Sequence, residues 1–88
     1  MKVIWAPDAL DDYRAWQAQN PKIAEKIARL IVEIKRNPFS GIGKPEPLKR
    51  DMAGLWSRRI DKEHRLVYRI SGKGVDKRLE VLQCRFHY

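Results

Sequence analysis

Apolar residues along the 88-residue chain recur at two different spacings, and each spacing predicts an element. Lys2 to Trp5 alternate in a short strand-like run, which Ala6-Pro7 breaks because proline fixes φ and removes a ladder donor. From Asp8 onward, Leu10, Tyr13 and Trp16 recur at helical spacing while Asp11, Asp12 and Arg14 fill the opposite face, and Pro7 suits the first turn. Asn20-Pro21 repeats that start signal. Asn is a favoured N-cap and Pro a favoured first residue, and Ile23, Ile27, Leu30, Ile31 and Ile34 follow on one stripe. Asn37-Pro38 closes this second helix, since the residue before a proline avoids the α region.

Residues 39–47, FSGIGKPEP, hold two glycines and two prolines, which predicts a constrained loop rather than a regular element. Three strand-like stretches follow, Leu55 to Ile60, Arg65 to Ile70 and Leu79 to Phe86, and the SGKG turn of Ser71 to Gly74 makes the last two a hairpin. The predicted order is β-α-α-β-β-β. That is an α+β fold, with two N-terminal helices packed on one face of a small, twisted, mainly antiparallel sheet.

Alternation along the strands sorts their side chains into two faces. Trp56 and Ile60, then Leu66, Tyr68 and Ile70, then Leu82, Cys84 and Phe86 make an apolar face for the helices. Ser57 and Arg59, Arg65 and Arg69 around Val67, and Gln83, Arg85 and His87 make the opposite, polar face. Guanidinium groups grip phosphates bidentately, so an arginine-lined sheet face fits a nucleic-acid backbone; the plain alternative is a solvated strand face. Arg58 falls among the apolar residues and has no evident role there.

Composition sharpens this picture. The formal net charge is +8, which points to a polyanionic partner, while 43% hydrophobic and 34% charged residues are values of a folded protein. The length suits one domain over residues 1–88. No apolar run approaches the roughly 20 residues that span a bilayer, and Pro7 and Asp8 interrupt the N-terminus before a signal-length apolar stretch can form. A cytoplasmic protein without a membrane partner is expected. Cys84 is the one cysteine, which excludes an internal disulfide and a cysteine-based zinc site; the two histidines show no ligand spacing, so no metal or cofactor is implied.

Cleaving RNA without metal requires a base for the 2′-OH proton, cations for the charge that develops on phosphorus, and an acid for the leaving 5′ oxygen. Glu46, stiffened by Pro45 and Pro47 and flanked by Lys44 and Lys49, is a candidate base. His87 is a candidate acid, because imidazole titrates near neutrality; the carboxylate at Tyr88 and a bound phosphate favour its protonation while nearby arginines oppose it. Taken singly, Glu46 reads as an exposed loop carboxylate and His87 as a surface histidine. Tyr88 could stack on a base or orient a phosphate, although strict alternation sends it and His87 to opposite faces. His64 reads as structural or surface, Trp5, Trp16 and Trp56 as core aromatics, and Cys84 as a buried small apolar residue.

The motifs GKPEPLK at Gly43 to Lys49, GLWSRRI at Gly54 to Ile60, EHRLVY at Glu63 to Tyr68 and CRFHY at Cys84 to Tyr88 occur in order. With them the chain resembles the YoeB family of bacterial toxins, in the RelE/ParE-like superfamily. VIW at Val3 to Trp5, DDY at Asp11 to Tyr13 and NPF at Asn37 to Phe39 fit as well. The resemblance implies a RelE-like microbial ribonuclease-type fold and a ribosome-dependent messenger RNA endonuclease of a type II toxin-antitoxin system. It implies Glu46 as general base, His87 as general acid, Arg65 as transition-state stabiliser and Tyr88 as substrate-positioning residue. Lys44, Lys49, Arg59 and Arg85 form the RNA- and phosphate-binding set expected beside them. Implied partners are messenger RNA on the 70S ribosome, a YefM-type antitoxin, a second copy of the chain, and operator DNA only within the antitoxin complex. Two departures stand out: the turn from Ser71 to Lys77 is long for the family, and Phe86 occupies a position where Tyr is expected. The alternatives are a non-catalytic RNA- or ribosome-binding module and a corepressor partner of an antitoxin.

Overall fold

Both helices begin where a proline can occupy the first turn. In a computed structural model that describes residues 1–86, strand β1 (Lys2–Trp5) leads into α1 (Pro7–Gln19) and then α2 (Pro21–Arg36). The strands β2 (Glu46–Pro47), β3 (Trp56–Arg59), β4 (Arg65–Ser71) and β5 (Arg78–Gln83) follow, with 3-10 turns at Arg50–Met52 and Gly74–Asp76. The five strands form one sheet in the order β1-β5-β4-β3-β2. β1 runs parallel to β5 and the remaining pairs are antiparallel. The helices pack on one face, as the alternation predicts.

The core is built from Ala9 and Trp16 of α1, Ala24, Ile27, Leu30 and Ile34 of α2, and Leu66, Tyr68, Leu79 and Val81 of the sheet, joined by Ile60 and Cys84. Leu10 and Tyr13 are only half-buried, and Ala9 holds the deepest position on α1. Trp16 Nε1 donates to the Cys84 carbonyl at 3.0 Å, and Cys84 Sγ lies 3.3 Å from the Ala9 carbonyl, so α1 is stapled to the end of β5. Burial pushes the Cys84 thiol up to about 12.

The structure departs from the sequence pattern at four places. Asn20 sits at the N-cap of α2, but its side chain makes no capping bond; its backbone carbonyl accepts from Ile23 and Ala24 instead. The segment 39–47 is not wholly irregular, because Glu46 and Pro47 pair with Ser57 and Trp56 as an edge strand. Proline is tolerated there since an edge strand leaves one side of its backbone unpaired. The β4–β5 connection spans residues 72–77 and contains a 3-10 turn, rather than closing over SGKG.

The fourth departure is a change of phase in β5. Tyr68 pairs with Val81 but Val67 pairs with Gln83, so Leu82 is an extra residue at a bulge. Leu79 and Val81 therefore face the helices on one side of the bulge, and Cys84 on the other. Leu82 is half-buried and Phe86 is 57% exposed, so neither belongs to the apolar face to which strict alternation assigns them.

Candidate functional site

Cross-strand register places the predicted polar residues relative to one another, because directly paired residues project from the same face. Glu46 pairs with Ser57, Ser57 with Val67 and Val67 with Gln83, which makes one row across the face opposite the helices. Arg59 and Arg65 pair with each other in the next row on that same face. Val67 is buried but lies outside the helix-side core cluster, consistent with this placement. Strand spacing sets Glu46 and Arg65 roughly 10 Å apart across two strands and roughly 7 Å apart along them, a span that one phosphodiester and its flanking sugars can bridge.

The Arg59–Arg65 pair breaks a rule of sheet design, since like charges directly opposite each other destabilise a ladder. Arg65 is held rather than free. Its Nη1 donates to the carbonyls of Asp61 at 2.8 Å and His64 at 3.1 Å, and its backbone N–H donates to Phe86 at 3.0 Å. Arg59 is exposed, and its backbone N–H donates to the Gly43 carbonyl at 2.6 Å. Asp61 organises the turn between β3 and β4, its Oδ1 accepting from Glu63 at 2.9 Å and from His64 at 2.7 Å. Partial burial works against its ionisation, but these bonds and the neighbouring Arg65 outweigh that and hold its carboxyl below the usual range.

The strap that carries Glu46 is anchored by a residue whose role the sequence pattern leaves open. Arg58 is fully buried and sends its guanidinium across to that strap. Nη1 donates to Ile42 at 3.0 Å, Nη2 to Ser40 at 2.8 Å and to Asn37, and Nε to the Tyr68 hydroxyl at 3.2 Å, all but the last being backbone carbonyls. Among the described residues no carboxylate forms an ion pair with it. The available signal was a cation at an apolar strand position. Gly43 tightens the same strap: at φ +81° a Cβ there would meet Leu30 at 2.9 Å and the Arg59 carbonyl at 3.2 Å.

Lys44 and Lys49 are exposed on either side of β2. Arg69, expected among the phosphate-gripping arginines, is instead committed to Glu80, with Nε and Oε2 2.6 Å apart. The hydrogen bond and charge of each partner drive the Arg69 value up and the Glu80 value down. Arg85 also departs from the predicted face. The strand has ended by then, and its guanidinium lies 4.8 Å from the Trp16 ring centroid and 5.3 Å from that of Phe86. The expectations for His87 and Tyr88 lie outside the described residues.

Comparison with known proteins bears on the same site. Residues 5–88 match the model of the YoeB-like toxin of bacterial type II toxin-antitoxin systems. The Toxin YoeB of Escherichia coli K12 is 49% identical over 88 residues, covering 100% of both chains. A YoeB/ParE toxin from Agrobacterium tumefaciens superposes with a TM-score of 0.96 at 60% identity over 100% of both chains. Two Staphylococcus aureus structures also match over 100% of this chain and 98% of theirs: a YoeB dimer (TM-score 0.90, 39% identity) and a YoeB–YefM complex (TM-score 0.88, 40% identity). At the level of fold alone, the likeness reaches the RelBE2 toxin-antitoxin complex of Mycobacterium tuberculosis, with a TM-score of 0.69 at 23% identity, so the two-helix, five-strand arrangement is RelE-like. With a family match from Trp5 to the last residue and near-half identity over the full length, the chain belongs to the YoeB-like toxins of bacterial type II toxin-antitoxin systems.

Proposed function

We propose that this toxin is a ribosome-dependent messenger RNA endonuclease whose scissile phosphodiester lies against Arg59 and Arg65, beside Glu46. The observation that carries this reading is the Arg59–Arg65 pair itself. Two cations on directly paired residues are a cost to the sheet that a bound, doubly charged phosphorane relieves, and such a broken local rule points to a functional site.

In this mechanism the Glu46 carboxylate takes the proton from the 2′-OH. The freed oxygen attacks phosphorus, and the bond from phosphorus to the 5′ oxygen breaks. His87 delivers the proton that the 5′ oxygen needs to leave. Arg65, restrained by the Asp61 and His64 carbonyls, is pre-set to meet the charge that grows on the non-bridging oxygens. The products are a 2′,3′-cyclic phosphate, which hydrolysis by water opens to a 3′-phosphate, and a 5′-hydroxyl. Arg59 holds the scissile phosphate beside Arg65, Lys44 and Lys49 hold flanking phosphates of messenger or ribosomal RNA, and Tyr88 positions the substrate. Arg85, stacked on Trp16, is left out of this set.

The same basic face suits an acidic antitoxin segment that folds on binding, and the S. aureus toxin–YefM complex supports that partner class. The antitoxin-bound toxin is inhibited, pairs with a second copy of itself as the S. aureus dimer does, and reaches operator DNA only through the antitoxin. Its substrate places it in the cytoplasm with translating ribosomes.

A messenger carrying a single 2′-deoxynucleotide at the cut position tests the chemistry. The reading expects ribosome binding to be retained and cleavage at that position to disappear. A 2′-deoxy site cut at the normal rate contradicts it, and halted translation with an intact messenger points to a binding module without chemistry.

A further inference from the structure

Phe86, the last described residue before His87, adopts a backbone φ of +62°, in the left-handed region that bulky side chains rarely enter. Such a conformation persists only where its surroundings hold it. Here both polar groups of the residue are held: its N–H donates to His64 Nδ1 at 2.8 Å, and its carbonyl accepts from the Arg65 N–H at 3.0 Å. His64 itself is fixed. The residue is 7% exposed and its ring stands edge-on to Trp16 at 4.8 Å and 70°, while its backbone N–H donates to Asp61 Oδ1 and its carbonyl accepts from Ile60.

The imidazole nitrogen that accepts the Phe86 N–H carries no hydrogen, so the neutral ring has its proton on Nε2, on the side where Glu63 Oε1 lies 3.9 Å away. A packing role beside Trp16 would be met by any planar ring. What the imidazole adds is an acceptor aimed at the one peptide N–H that precedes the candidate general acid.

We propose that His64 is a positioning residue: by fixing the left-handed Phe86 peptide it sets where His87 stands for proton transfer. This rests on the nuclease reading above. Misplacement of a reacting group by about 1 Å costs up to about 100-fold in rate. His64→Phe keeps the ring against Trp16 and removes the acceptor. His64→Asn carries an oxygen near the Nδ1 position, whereas the longer His64→Gln carries its amide near the Nε2 position.

The experiment measures single-turnover messenger cleavage on ribosomes for the wild type and these variants, each also in a His87→Gln background, together with ribosome affinity. His64→Phe and His64→Gln should slow cleavage about 10- to 100-fold with unchanged affinity, and His64→Asn should recover most of the rate. In the His87→Gln background none of them should add a further loss, because groups that act as a unit are not additive. Wild-type rates in His64→Gln, or an equal slowing with and without His87, would overturn the assignment. Should His64→Phe fail to fold, the Asn and Gln pair decides alone, since both are amides of similar polarity. A wild type that leaves the messenger intact overturns the nuclease reading instead, and is separate from any result among the His64 variants.

Discussion

The buried Arg58 guanidinium donates from Nε to the Tyr68 hydroxyl at 3.2 Å, and that hydroxyl in turn donates to the Pro38 carbonyl at 2.6 Å. Together the two side chains give the sheet five bonds to the strap between α2 and β2, or to each other, and so hold the segment that leads to Glu46. Burial raises the Tyr68 value, against the opposing hydrogen bond and charge of Arg58, so the hydroxyl remains a donor at neutral pH.

Arg58→Met is therefore expected to lower stability by about 3 kcal/mol, and Tyr68→Phe by about 1–2 kcal/mol, through the carbonyls each leaves unsatisfied. Urea denaturation of both singles and the double should show the double falling short of the sum, because the two side chains bond to each other. Negligible losses in both singles would mean that the strap is held elsewhere, and additive ones that the two side chains hold it independently.

Arg69 separates a cation that is merely present from one available for phosphate. Its charge is engaged by Glu80 across the β4–β5 pair. Arg69→Ala should leave messenger cleavage within a few-fold of wild type, whereas Arg65→Ala should reduce it about 100- to 1,000-fold, as removal of a transition-state donor does. Equal losses from both would remove the distinction drawn between them.

Acid should untie the turn behind Arg65. The folded Asp61 carboxyl lies below its ordinary value, so the stability it contributes is complete above the unfolded range near 4 and is lost as pH falls through the folded value. Asp61→Ala should cost about 1 kcal/mol at pH 7, and the gap from wild type should narrow as pH falls below the ordinary carboxylate range. A gap independent of pH would mean that the carboxylate does not hold this turn.

Cys84 should be chemically silent in the native state. With the thiol pushed up to about 12 and fully buried, its thiolate is scarce at pH 8 and shielded from reagents. Labelling by an aromatic disulfide should be slow in buffer and immediate in urea. Prompt labelling of the native protein would show that the α1–β5 contact opens.

Much of this architecture was legible in the chain because the signals were local. Pro7, Asn20-Pro21 and Asn37-Pro38 mark the helix limits within about a residue, and alternation finds β1, β3 and β4. The errors arose where tertiary context decides. Glu46 and Pro47 form a strand only because β3 is there to receive them, and nothing local marks Leu82 as the extra residue of a bulge. Period-two reasoning put Arg59 and Arg65 on one face of the sheet but left Glu46 in a loop, and only its register with Ser57 brings it to that face. It could not show that Arg69 is spent on Glu80 or that Arg85 turns to Trp16, since both depend on partners distant in sequence. Arg58 and His64 look like misplaced polar residues until the carbonyls and the Phe86 peptide they hold are seen.

Primer extension on a messenger in a reconstituted translation reaction separates a nuclease from a binding module, comparing the wild type with Glu46→Gln in the presence and absence of ribosomes. Discrete cuts that require both ribosomes and Glu46 are expected, with the variant slowed by about 100-fold or more. Cuts of equal intensity from Glu46→Gln, or an uncut messenger on stalled ribosomes, would contradict the nuclease reading.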